Sequence, residues 1–220
     1  MDDVARKQDR APEFGADFRA QLFELFRWRR DVRKFKRDPL PPGTLERLLG
    51  IASLAPSVGL SEPWRFVIVG TEGNRESIRA CFNRANEQAL RGYSGERAAL
   101  YAKLKLEGLN DAPCQLAVFV DPSTPQGHGL GRMTMPMTIE YSAVAAVNLI
   151  WLAARAEGIG MGWVSILDPA EVKSVLDVPQ EWTMIGYFCL GHPQEDSDTP
   201  MLETDGWENR AKPATTILHR

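Results

Sequence analysis

Residues 139–156, IEYSAVAAVNLIWLAARA, are the longest apolar stretch of the chain, and they leave few ways to fold it. Glu140, Asn148 and Arg155 lie within the stretch, where a bilayer would offer them no partner. The segment therefore reads as a helix of about 138–157 buried against other elements, not as a membrane span. Gly158 follows it as a residue suited to the left-handed position past a helix end. A helix that apolar needs an equally apolar surface to cover. Four short runs rich in β-branched and aromatic residues supply it as strands: 64–69, 115–120, 160–166 and 183–190.

Helices alternate with these strands. Residues 16–28 place Phe18, Leu22, Leu25 and Phe26 at helical spacing, giving an amphipathic helix. Pro39, Pro41 and Pro42 break the chain, and Thr44 is the expected N-cap of a helix running to about Ala55. Residues 72–110 are helix formers interrupted at Gly92 and Gly95. Asp168-Pro169-Ala170-Glu171 has the form of a capping box with proline at the first helical position. The stretch 121–137, DPSTPQGHGLGRMTMPM, is too long for a plain connector and is expected to serve function. No GxGxxG or GxxxxGK[ST] is present, so dinucleotide and nucleoside-triphosphate fingerprints are excluded. The class is α+β, one sheet flanked by several long helices.

With 220 residues, 44% of them hydrophobic and 25% charged, the chain suits one domain over 16–220. The opening residues 1–15 are charged and read as a flexible arm, neither a signal nor a transit peptide. A net charge of −3 argues against nucleic acid or an anionic membrane as partner. Cys81, Cys114 and Cys189 are scattered, as are His128, His192 and His219, so no metal site is expected. Buried thiols in a reducing compartment, the cytoplasm by default, are the better reading.

Any strongly basic chemistry must then be local, and it is concentrated at Arg29-Arg30-Asp31-Val32-Arg33. Guanidinium groups make bidentate, charge-assisted bonds to a phosphate monoester. Arginines at a helix C-terminus also meet the helix dipole, and the two roles are compatible. Asp31 in their midst either relieves repulsion among them or performs proton chemistry on what they anchor.

Four segments in this order resemble the FMN-dependent nitroreductase superfamily: RRDVRKF at 29–35, ASLAPS at 52–57, EPWRFVIV at 62–69 and GIGMGWVS at 158–165. The resemblance extends over about 20–212. It implies a nitroreductase-like fold with a central mixed sheet, as an intertwined homodimer with two FMN sites at the interface. It also implies that Arg29, Arg30, Val32 and Arg33 hold the FMN phosphate and ribityl chain, with Arg210 reaching the phosphate late in the chain. Pro56, Ser57 and Ser61 would approach the polar edge of the ring, although Ser57 equally suits a helix end. Gly160 and Gly162 would permit close approach to a flat ring, or simply admit a strand. Met133, Met135 and Met137 would cover the flavin or fill core gaps.

The superfamily usually carries serine or another small residue where this chain has Asp31. Asp31, Ser165, the Tyr101–Gly108 run and GRMTMPMT resemble a flavin-destroying branch. That branch fragments reduced FMN with dioxygen into dimethylbenzimidazole, the lower ligand of vitamin B12, with erythrose 4-phosphate as co-product. Asp31 would then be the general acid/base, and Ser165 would bond the reacting ring edge. FMN would be substrate, dioxygen co-substrate, and a separate flavin reductase the source of reduced FMN. An NAD(P)H-dependent nitro- or quinone reductase, a deiodinase-type dehalogenase and a non-catalytic flavin-binding protein share the same frame. In simple hydride transfer, a carboxylate at position 31 has little purpose.

Overall fold

The computed structural model describes residues 11–104, 108–211 and 217–220. Residues 1–10 of the expected arm, and 105–107 of the Tyr101–Gly108 run, lie outside the described residues. Residues 11–15 carry no helix or strand and are exposed.

The 139–156 stretch is the backbone of one layer. Helix α5 (Thr138–Ala156) buries Ile139, Ala143, Ala146, Val147, Ile150, Trp151 and Ala154. Gly158 takes φ +71°, the left-handed turn expected after the helix. α5 packs with α2 (Thr44–Gly50) on one face of the sheet, over Leu116, Val118, Met161, Phe188 and Leu190. The opposite face, Ala117, Phe119, Tyr187 and Cys189, is covered by α3 (Glu72–Leu90) and α6 (Pro169–Val175). Two covered faces explain why the central strands are continuous apolar runs without alternation. The single polar side chain in that run of β2 (Cys114–Val120), Gln115, is satisfied: it donates to Leu109 O at 2.8 Å and accepts from the Tyr187 hydroxyl at 2.7 Å.

The sheet order is β1 (Trp64–Ile68), β2, β4 (Thr183–Gly191), β3 (Gly160–Val164), every neighbour antiparallel. The mixed sheet expected from the sequence is thus corrected. Its only parallel pairing among the described residues is the isolated bridge Asp31↔Met161. The arginine segment beside β3 has no run of β-branched residues and pairs there at one position only. Thr44 is corrected as well. Gly43, at φ +79°, precedes the helix, and buried Thr44 is its first helical residue with no capping bond. The helix also stops early, passing into a 3₁₀ turn at Ile51–Leu54. Ala55 precedes Pro56 and is pushed into the extended region at ψ 144°.

Helices α1 (Ala16–Trp28) and α3 stand where the sequence puts them, α4 (Gly95–Lys103) begins at Gly95, one of the two expected interruptions, and ends short of 110, and α7 (Met201–Thr204) is a single turn in the tail. α1 buries none of its residues within the chain. No helix among the described residues is long and apolar enough to cross a membrane.

Candidate functional site

The arginine segment is held at the open edge of β3 by two glycines. Val32 N–H donates to Met161 O at 3.1 Å, and the Val32 side chain fills the space a Cβ on Gly160 would need. A Cβ on Gly162 would overlap the Val32 carbonyl oxygen. These glycines therefore admit Val32, Gly160 its side chain and Gly162 its carbonyl, which is a different close approach from the flat ring expected of them. Farther along, Phe35 is fully buried, and Lys36 N–H donates to His192 O at 2.8 Å, which anchors the segment's other end.

This seating fixes Asp31. Its Oδ1 accepts from the backbone N–H of Trp163 at 2.8 Å, and its Oδ2 accepts from Arg33 Nε at 2.9 Å. Arg33 is the more deeply placed partner, its side chain 12% exposed against 33% for Asp31. Its Nη1 is buried with no hydrogen-bond partner. A buried unpaired donor costs about 1–3 kcal/mol, and a phosphate oxygen would recover it.

The other arginines divide their work. Arg30 donates from Nε and Nη2 to Asp198 O, at 2.8 and 2.5 Å, and from Nη1 to Arg29 O at 2.7 Å. It ties the C-terminal segment down. Arg29 lies over the Trp151 ring, 5.0 Å from its centroid. Burial first, then the guanidiniums of Arg210 and Arg29, push the Arg30 guanidinium below its ordinary value, with Asp198 opposing them. Cations crowded closely enough to disfavour one another's charge suit an anion.

Two cavities meet at Asp31. The larger, about 470 Å³, runs between Trp28, Arg30–Lys34 and Met161 on one side and Glu195–Ser197, Met201 and Asp205 on the other. The smaller, about 180 Å³, is lined by Arg29, Arg30, Asp31, Arg33, Pro200–Leu202 and Arg210. Arg210, distant in sequence, thus joins the cluster. The tail that carries it is clasped to α4: Trp207 stands edge-on to Tyr93 and Tyr101, with Arg97 5.0 Å over its ring and donating to its carbonyl at 2.7 Å.

The remaining expected residues are not in these cavities. Ser57 Oγ accepts from Glu62 N–H at 3.2 Å, and Ser61 is 2% exposed with its hydroxyl unpartnered. With Pro56 they belong to a loop packed against 126–131, where Gln126 donates to Leu60 O at 2.8 Å. Ser165 lies one residue past β3 and is exposed, so strand alternation does not fix its direction. Met133, Met135 and Met137 are also exposed, Met133 by 85%. Sequence reasoning missed the wall at 195–205, Lys103 and the Trp163 N–H. At Asp198 a carbonyl and at Trp163 an amide do this work, and a backbone group leaves no signature in residue identity.

The Nitroreductase family profile matches residues 26–192. The chain is 53% identical over 199 residues to the 5,6-dimethylbenzimidazole synthase of Rhodospirillum rubrum, covering 90% of this chain and 94% of that one. It is 44% identical to the protein of the same description from Rhodobacter capsulatus, covering 89% and 94%. The crystal structure of oxidised iodotyrosine deiodinase bound to FMN and 3-iodo-L-tyrosine superposes with a TM-score of 0.68 at 24% identity, over 90% of this chain and 97% of that one. With the profile spanning most of the chain and these relatives nearly all of it, the chain belongs to the nitroreductase family.

Proposed function

We propose that this chain is a 5,6-dimethylbenzimidazole synthase: it fragments reduced FMN with dioxygen into dimethylbenzimidazole, erythrose 4-phosphate, which carries the phosphate away, and a remainder derived from the pyrimidine part of the ring. The observation that carries this reading is Asp31, a carboxylate oriented by two donors at the junction of an arginine-lined cavity and a larger one. The likeness to proteins of that description over most of the chain supports it.

Reduced FMN supplies the electrons that dioxygen takes and the carbon skeleton of the product. Arg29, Arg33 and Arg210 bind its phosphate, while Arg30 braces the tail that brings Arg210 in. Asp31, beside the ribityl chain, takes and returns protons. Ser165, two residues beyond the Trp163 amide that holds Asp31, would bond the reacting ring edge. Val32 and Gly162 hold Asp31 in register.

Pro56, Ser57 and Ser61 are contributed by a second copy of the chain. Among the described residues they line neither of the two cavities at Asp31, and α1 together with the methionine loop exposes apolar surface that a homodimer would cover. A separate flavin reductase in the cytoplasm supplies reduced FMN.

The test is aerobic incubation of the purified protein with chemically reduced FMN, followed by chromatography for dimethylbenzimidazole. Product from the native protein and none from Asp31→Asn at retained FMN binding is the expected result. Intact FMN with NADH-driven reduction of a nitroaromatic would replace this reading with a reductase. FMN bound, reoxidised and unconsumed would leave a flavin-binding protein.

A further inference from the structure

One of the two groups that fix Asp31 is a backbone amide, and its aim depends on where Trp163 sits in β3. Trp163 stands opposite Phe188 of β4, with ring centroids 5.0 Å apart. The next β4 residue on that face is Gly186. The indole lies directly over it: a Cβ on Gly186 would overlap Trp163 Nε1 and come within 2.9 Å of Cδ1. Gly186 does not take a positive φ, so the backbone alone would accept alanine. What excludes a side chain there is the indole.

β4 changes register at the same place. Val118 pairs with Gly186 but Phe119 pairs with Met184, which leaves Ile185 as the extra residue. Such a bulge bends its strand and re-aims neighbouring side chains. The bulge and the bare α-carbon together form a notch in β4, and the notch receives the Trp163 ring.

We propose that Gly186 is a positioning residue for Asp31, acting through Trp163. The notch holds the indole down on β4, and this keeps the Trp163 N–H pointed out of the sheet at the carboxylate. Filling the notch lifts the indole, tilts the peptide and releases Oδ1. The catalytic consequence rests on the proposed role of Asp31, whereas the seat is a property of the chain alone.

The seat is read by hydrogen exchange of the amide at position 163 in the protein without FMN. Asp31→Asn defines the signature of a weakened partner, and Gly186→Ala is expected to speed exchange toward the same rate. Adding Trp163→Phe to Gly186→Ala removes Nε1, the atom nearest the new Cβ, with the five-membered ring that fills the notch, and is expected to restore protection. In turnover, Gly186→Ala should bind FMN within about twofold of native and form product about tenfold more slowly, since a shift of ~1 Å in a reacting group costs up to ~100-fold. A glycine needed only for stability would move neither the amide nor turnover at retained binding.

Native exchange at position 163 in Gly186→Ala overturns the proposal. If that variant does not fold, the double variant decides: an amide as unprotected as in Asp31→Asn overturns it, and a protected one supports it. A native protein that makes no dimethylbenzimidazole while the exchange pattern holds removes the proposed function and leaves the seat standing.

Discussion

Asp31 and Arg33 form a half-buried pair with one guanidinium nitrogen still unpaired, so each partner is sensitive to loss of the other. Arg33→Met keeps the stem but removes both the bond to Asp31 and the free donor. Charge-assisted bonds contribute about 1.5–3 kcal/mol, so FMN affinity is expected to fall about tenfold or more, as flavin fluorescence quenching would measure. Gly162→Ala acts differently, because its Cβ would overlap the Val32 carbonyl. Urea denaturation should show a loss of about 1–3 kcal/mol, the usual cost of forcing extra volume into a tight contact. An unchanged midpoint would mean that the arginine segment moves aside freely.

Two elements carry predictions of their own. Asp168 caps α6, its Oδ1 accepting from Ala170 N–H at 2.8 Å and Glu171 N–H at 3.4 Å. The sequence suggested a reciprocal box, yet Glu171 pairs with Arg84 of α3, which ties α6 to its neighbour. Asp168→Ala is expected to cost about 1 kcal/mol in thermal or urea unfolding. At the end of β2, Asp121 accepts from the Ser123 amide and hydroxyl at 2.9 and 2.6 Å and pairs with Arg65 at 2.9 Å. The Ser123 hydroxyl bond, followed by its amide and Arg65, holds the Asp121 carboxyl below its usual range despite burial. A pKa depressed on folding stabilises above the unfolded value of about 3.9 and is lost as pH falls through the folded value. Asp121→Asn should therefore lower stability at neutral pH and flatten the decline as pH falls below about 4, read from urea midpoints across that range.

On the scale of the whole molecule, the exposed aromatics of α1 are unusual for a helix that ends at the site. Phe18, Phe23 and Phe26 are 47%, 67% and 44% exposed, and Trp28, the last residue of α1, lines the larger cavity. In the proposed homodimer, the second copy covers them and supplies the 56–61 loop to the arginines. Light scattering is expected to give a mass of twice 24.6 kDa. Phe23→Asp with Phe26→Asp should reduce it to the single value and abolish FMN binding together. Monomeric protein that still binds FMN would show that one chain completes the site.

Much of this was legible in residue order because local chemistry specifies it. The apolar 139–156 stretch, the strand cores and the glycine at 158 each carry their structure in side-chain period or backbone freedom. The arginine cluster with Asp31 at its centre stood out in the sequence as a place suited to an anion, and the fold gathers Arg29, Arg30, Arg33 and Arg210 around one cavity. What tertiary structure decided is which backbone meets which. Gly160 and Gly162 admit Val32, Arg30 holds a carbonyl at Asp198, and Gly186 seats the indole that aims an amide at Asp31. Arg210 enters the cluster because Trp207 clasps the tail to α4. Every residue offers the same amide and carbonyl, so a sequence can name the side chains of a site, but only the packed chain determines which main-chain groups complete it.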